Sequence, residues 1–243
     1  MLISHDYQFI FIKTRKTAGT SIEIALSRYL GPMDVITPIT PEDELIRAGL
    51  GITPRNYMYP AHTLPDDSEM TTEGMEAMLN KLTIDRRFYN HCAAQDIRAS
   101  VGEKIWQTYT KFCFERNPWD RVISEYHFMQ KTKPEDYGQV TLEQFVELNL
   151  YSPNYFLYTI QDQPVCDLYG RFEYLQSDLA SICQKIGLPY DGWLPNAKGA
   201  SQSHRKSAGE LMTPQMLNHI SERCQPEIDL FGYEQPIVSR SDC

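Results

Sequence analysis

The sequence predicts an α/β domain in which a central parallel β-sheet is flanked by helices. Three observations predict it. An uncharged aromatic and β-branched run at residues 7–12 leads through a cationic loop into an amphipathic helix; a second unit of the same kind starts at Thr110; and further helical segments lie between and after them. Of the 243 residues, 42% are hydrophobic, enough for a sizeable core, and one domain over residues 1–243 is the expectation.

Residues 7–12, Tyr-Gln-Phe-Ile-Phe-Ile, have the composition of a central strand buried on both faces. After the loop Lys13 to Ser21, residues 22–30 repeat at helical spacing and stop at Gly31-Pro32. Thr40-Pro41 before Glu42 signals a helix start, and Met75, Met78, Leu79 and Leu82 recur as in a helix. Arg87, Phe88, Tyr89 and Asn90 read as a strand end, with a helix opening at Ala94. Residues 110–115 read as a short strand around Phe112, Cys113 and Phe114, followed by Arg116-Asn117-Pro118, where proline suits a first helical turn. Thr141 with Gln144 forms a capping box, Leu179, Ile182, Cys183 and Ile186 mark a helix stopped by Gly187, and Thr213-Pro214 opens another. Residues 49–72 and 188–207 are proline-rich and polar, the composition of lids and binding loops or of disorder.

Charge narrows the partners. With 23 Lys and Arg against 32 Asp and Glu, the net charge of −9 disfavours a nonspecific nucleic-acid binder, yet it allows one pocket where cations and backbone amides converge. The first residues form neither a basic-then-apolar leader nor a membrane span, so a cytoplasmic chain is expected. Six cysteines, without CxxC or metal-type spacing, read as reduced thiols, and no metal site is expected.

The loop after the first strand is suited to an anion. A helix start presents unpaired N–H groups and the positive end of its dipole; Ala18 and Gly19 let the backbone close on phosphate oxygens, Thr17, Thr20 and Ser21 add hydroxyls, and Lys16 adds charge. The bland alternative is a solvated basic turn. The loop is not an ATP-type phosphate loop, because its lysine precedes the single glycine instead of following a GxxxxG run. At the second turn, Arg116 is placed to grip a phosphate, and Ser124 lies eight positions on, about two helical turns. Trp119 reads as a packing residue or one that stacks on a base, and Arg121 as a surface helix residue or a further contact, the first reading of each being favoured.

The segment Arg15-Lys16-Thr17-Ala18-Gly19-Thr20-Ser21, paired with Arg116-Asn117-Pro118-Trp119-Asp120-Arg121-Val122-Ile123-Ser124-Glu125-Tyr126, resembles the signature of the sulfotransferase superfamily, and within it the carbohydrate-type branch. Gly170 to Leu175 with Asp178, and Phe231-Gly232-Tyr233, are similar to further parts of the family pattern. The resemblance implies sulfuryl transfer from PAPS (3′-phosphoadenosine 5′-phosphosulfate) to an acceptor hydroxyl, on a carbohydrate or glycoconjugate. It implies that the first loop cradles the 5′-phosphosulfate with Lys16 at the bridging oxygen, that Arg116 and Ser124 hold the 3′-phosphate, and that Lys198 and Gly199, with Arg205 near them, fold over the nucleotide. Arg15 departs from the pattern, standing where many members have proline, and Lys13 adds a cation able to share the role of Lys16.

Sulfuryl transfer also needs a base, for which histidine has the suitable pKa. His91 is the choice, placed by the expected strand end and helix start and comparable to the family's catalytic histidine; His62 is its rival. Tyr57, Tyr59, Tyr126, His127, Tyr151 and Tyr155 are candidates for lining an acceptor cleft. Two other readings stand beside this one: a kinase with magnesium held by Asp120 or Glu115, and a noncatalytic nucleotide-binding module.

Overall fold

A computed structural model describes residues 1–58, 86–195 and 206–238. Its main sheet has five strands in the order β3-β1-β2-β4-β7, where β1 is Leu2–Ser4, β2 Phe9–Ile12, β3 Val35–Ile36, β4 Thr110–Glu115 and β7 Leu168–Arg171. Strands β5 (Thr159–Ile160) and β6 (Gln163–Pro164) form a separate hairpin. Strand β4 pairs in parallel with both β2 and β7, as expected, while β1 runs antiparallel to β2 and β3. The sequence reading contains no counterpart of β1. Three residues are too few to display a period, although Leu2 and Ile3 are fully buried.

Strand β2 is central because neither of its faces is polar. Successive side chains alternate across a sheet, so Phe9 and Phe11 pack with Ile22, Leu26, Leu179 and Ile182 on one side. Ile10 and Ile12 pack with Phe88, Ile97, Trp106 and Tyr158 on the other. A third cluster joins Trp119, Val122, Phe145 and Leu217 beside the sheet.

Helix α1 spans Gly19–Ser27, beginning three residues before the expected start, and α2 spans Pro41–Ala48. The long helix Pro118–Thr132 follows β4, and Leu175–Lys185 follows β7. The expected helix starts at Ala94, Leu142 and Pro214 are all present. The expected strand at residues 87–90 is not. Among the described residues, that segment meets its neighbours through the Met58–Arg86 bridge and a hydrogen bond from Phe88 to Tyr57, while Arg87 reaches sideways to the Ser100 carbonyl. Without a partner strand, alternating bulky residues do not extend into a ladder. The expected helix around Met75 to Leu82 lies outside the described residues.

Candidate active site

Parallel pairing brings the two cationic turns together. Ile12 is opposite Cys113 and Glu115 is opposite Arg171, so β2, β4 and β7 end along one carboxyl edge with their following loops side by side. Thr14 Oγ1 donates to the Phe114 carbonyl and ties the first loop to the end of β4.

In the first loop, Lys16 and Ala18 both have φ of 60°, in the left-handed region. Such residues curl a backbone so that successive N–H groups face one concavity, an arrangement that binds anions. Ala18 is also the N-cap of α1 and has no side-chain acceptor, and the first intrahelical bond runs from Ile22 N–H to the Ala18 carbonyl. The N–H groups of Gly19, Thr20 and Ser21 therefore lack intrahelical acceptors. The Thr17 side chain is buried, its hydroxyl 2.9 Å from Thr14 Oγ1. Gly19 is required here, since a Cβ would lie 2.7 Å from Lys13 Cγ.

Lys13, expected as a cation able to share the role of Lys16, pairs with helix α1. Its stem runs behind Gly19 and its ammonium pairs with Glu23 of α1, both side chains being buried. Glu23 also accepts from the Met1 amino group. Burial would raise the Glu23 carboxyl, but Lys13 and the Met1 amino group outweigh it and hold the pKa at about 2.

His91 reaches the same loop by a route the sequence reading did not foresee. It sits in a left-handed turn, φ 58°, ahead of the helix Ala94–Val101, with Nδ1 3.1 Å from the Lys13 carbonyl oxygen. A carbonyl only accepts, so Nδ1 carries the hydrogen and Nε2 is the unprotonated nitrogen of the neutral ring. Burial, reinforced by the Lys13 ammonium, pushes the pKa of His91 down to about 3.

At the second turn, Asn117 caps the long helix, its Oδ1 accepting from the N–H groups of Trp119 and Asp120, with Pro118 in the first turn. The Arg116 guanidinium lies 4.1 Å over the Phe172 ring, and its Nη1 donates to the Lys16 carbonyl at 3.4 Å, so the two turns touch. Lys16 directs its ammonium to the long helix, 4.0 Å over the ring of Phe128, one turn beyond Ser124. Lys16 thus meets both Arg116 and the helix that carries Ser124.

Asn154 and the buried charges beneath the turns were missed. Asn154 is fully buried and bonds to both backbone groups of Arg15 and to Glu115. Arg121, read as a surface residue, is 1% exposed and lies between Glu115 (3.9 Å) and Glu227 (3.3 Å). Burial raises Glu115 to about 7 against the pull of Arg121. Trp119 packs, its indole donating to the Leu217 carbonyl. Among the acceptor-cleft candidates, Tyr151 is buried and Tyr126 donates to the Val140 carbonyl against Phe145, so both belong to the core. His62, Tyr59, Lys198, Gly199 and Arg205 lie outside the described residues.

Comparison with known proteins decides the family. A model of the sulfotransferase family matches residues 1–234. The chain belongs to the sulfotransferase family. An uncharacterized protein of Archaeoglobus fulgidus is similar to this sulfotransferase, 32% identical over 115 residues, which are 45% of this chain and 94% of the relative. A sulfotransferase crystal structure from Alicyclobacillus acidocaldarius is similar at 14% identity and a TM-score of 0.40, covering 92% of this chain and 95% of that one, a likeness too distant to carry detail. Among the described residues, no helix is long and apolar enough to cross a membrane, and no group of three or more His, Cys, Asp or Glu is placed to hold a metal ion. Among the described residues, Cys92, Cys113, Cys166, Cys183 and Cys224 are unbridged thiols.

Proposed function

We propose that this sulfotransferase takes its sulfuryl group from PAPS and passes it to a hydroxyl on a carbohydrate or glycoconjugate, with His91 as base and Lys16 at the leaving phosphate. The observation that carries the reading is the meeting of an uncapped helix start, two cationic turns and a neutral histidine at one sheet edge. The residues fit a phosphosulfate: the N–H groups of Gly19, Thr20 and Ser21 await acceptors, and no side chain caps α1. The acceptor class rests on the likeness of the two turns to the carbohydrate-type branch.

Bound PAPS supplies a sulfur whose bond to the bridging phosphate oxygen breaks as the acceptor oxygen attacks in line. Lys16 and the α1 amides stabilise the charge that collects on the departing oxygen. Nε2 of His91 takes the acceptor proton, while Nδ1–H stays on the Lys13 carbonyl and fixes the ring. The low pKa of His91 describes the protein alone; an anionic nucleotide beside the ring favours the imidazolium and raises it. Arg116 and Ser124 hold the 3′-phosphate, Arg15, Thr17 and Ala18 complete the loop around the 5′ end, and the family resemblance assigns Lys198 and Gly199 to the nucleotide as well. A magnesium-dependent kinase fits less well, because both carboxylates it would use are engaged: Glu115 with Arg116, Asn154 and Arg121, and Asp120 with the Ala208 amide.

Calorimetric titration with PAP, the desulfated nucleotide, beside ATP with magnesium tests the donor. PAP is expected to bind far more tightly, and a preference for ATP overturns the reading. Turnover of PAPS with an accepted sugar is expected to fall by about 100-fold or more in Lys16→Ala and in His91→Ala, with PAP binding retained in the latter. Wild-type turnover in both variants refutes the assignment of roles.

A further inference from the structure

The two nucleotide turns are separate in sequence, yet one side chain links their backbones. The Arg15 N–H donates to Asn154 Oδ1 at 2.9 Å, and Asn154 Nδ2 donates to the Arg15 carbonyl at 3.0 Å. The same Nδ2 donates to Glu115 Oε1 at 3.0 Å, and that oxygen also accepts from the Arg116 N–H at 2.9 Å. A continuous path therefore runs from Arg15 through Asn154 and Glu115 to Arg116. Beneath it, Asn154 N–H donates to Glu227 Oε1 at 2.9 Å, and Glu227 is paired with Arg121. Asn154 and Glu115 are both fully buried.

We propose that Asn154 is a positioning residue that fixes the first nucleotide loop against the second, so that the cations of both turns converge at one spacing on the donor. The physical reason is the pairing of donors and acceptors. An amide side chain has an acceptor and two N–H donors in one plane, and here the acceptor meets the Arg15 N–H while the donors meet the Arg15 and Glu115 oxygens. This is the pattern of a strand partner, delivered to the residue just before Lys16, where no strand is present. The loop needs such a hold because Lys16 and Ala18 both occupy left-handed conformations that non-glycine residues otherwise avoid. Aspartate is isosteric but cannot replace it, since it lacks both N–H donors and adds a carboxylate beside Glu115 and Glu227.

The inference rests on the donor site proposed above, and the experiment separates the two. In the free wild-type protein, hydrogen exchange is expected to show the Arg15 amide protected to the level of the β2 and β4 amides; exchange at the rate of an open loop overturns the role of Asn154, whether or not PAP binds. Asn154→Ala and Asn154→Asp are then compared with Ile182→Ala, a core variant remote from the loops. At matched loss of thermal stability, the Asn154 variants are expected to weaken PAP binding and raise the KM for PAPS by about tenfold or more, the scale of losing the side-chain hydrogen bonds to Arg15 and Glu115, with the acceptor KM unchanged. PAP affinity no lower than that of Ile182→Ala, or an equal rise in both KM values, overturns the proposal. If neither Asn154 variant folds, the exchange measurement decides. Failure of the wild type to bind PAP refutes the donor reading and leaves the Arg15 protection as the test of the clamp.

Discussion

Glu23 and Glu115 are both fully buried, and their neighbours drive them in opposite directions. Glu23, facing two cations, is held at about 2; Glu115, facing Arg121 but also Glu227, rises to about 7. An acid whose pKa is depressed on folding stabilises above its unfolded value, near 4.5, and that contribution disappears as pH falls toward 2. An acid whose pKa is raised behaves the other way, its contribution being present below 4.5 and lost as pH rises through 7. Denaturant melts from pH 3 to pH 8 are therefore expected to diverge. The penalty of Glu23→Gln should be greatest near neutrality and shrink in acid, while Glu115→Gln should gain on the wild type by roughly 3 kcal/mol between pH 5 and pH 8. Parallel curves for wild type and variant count against the charge environments described. His91, held neutral, adds its own loss below pH 6.5 in every protein that retains it, so it cancels in the comparison. At this scale, the proposal for Lys16, Gly19, Arg116 and Ser124 starts from signals legible in the sequence, because residue types and spacings of that kind suit anion binding. Asn154 was not: one asparagine 139 positions from Arg15 forms no pattern, and its partners are main-chain atoms.

Helix starts govern the next scale. Helix α1 begins without a side-chain cap, whereas the long helix Pro118–Thr132 begins with a complete one at Asn117. The contrast has a use, since an unsatisfied start can receive a ligand while a satisfied one fixes the position of Arg116 and Ser124. Asn117→Ala is expected to lower stability by about 1 kcal/mol and to weaken PAP binding, read by thermal melts and calorimetry. Lower stability with unchanged PAP affinity would uncouple the cap from the site. Most elements were readable from local signals: the capping box at Thr141 and Gln144, proline in first turns, and the uncharged run of β2. Residues 87–90 misled because a bulky alternating segment becomes a strand only where another strand accepts its hydrogen bonds. Ser207 with Glu210 forms a capping box that went unread, since the preceding residues had been assigned to an irregular stretch.

Across the whole molecule, the net charge of −9 is borne by a chain that concentrates Arg15, Lys16 and Arg116 at one edge of the sheet. Both nucleotide turns arise from strands of the same sheet, which leads to the expectation of one cooperative unfolding transition. At 100 times its Kd, PAP should add about 2.7 kcal/mol and move that transition upward as a unit by about 5–11 °C. Two transitions in calorimetry, with one alone responding to PAP, would divide the domain. The sequence by itself determined the fold class, the two cation-bearing strand-to-helix turns and the family, because strand hydrophobicity, helix starts and loop composition are set by neighbouring residues. Only the tertiary structure decided which groups meet across the chain: Lys13 with Glu23, Arg121 between two buried carboxylates, His91 on the Lys13 carbonyl, and Asn154 between the turns. Those meetings depend on strand register and on burial, which bring together residues far apart in sequence, and neither is encoded in the spacing of any single motif.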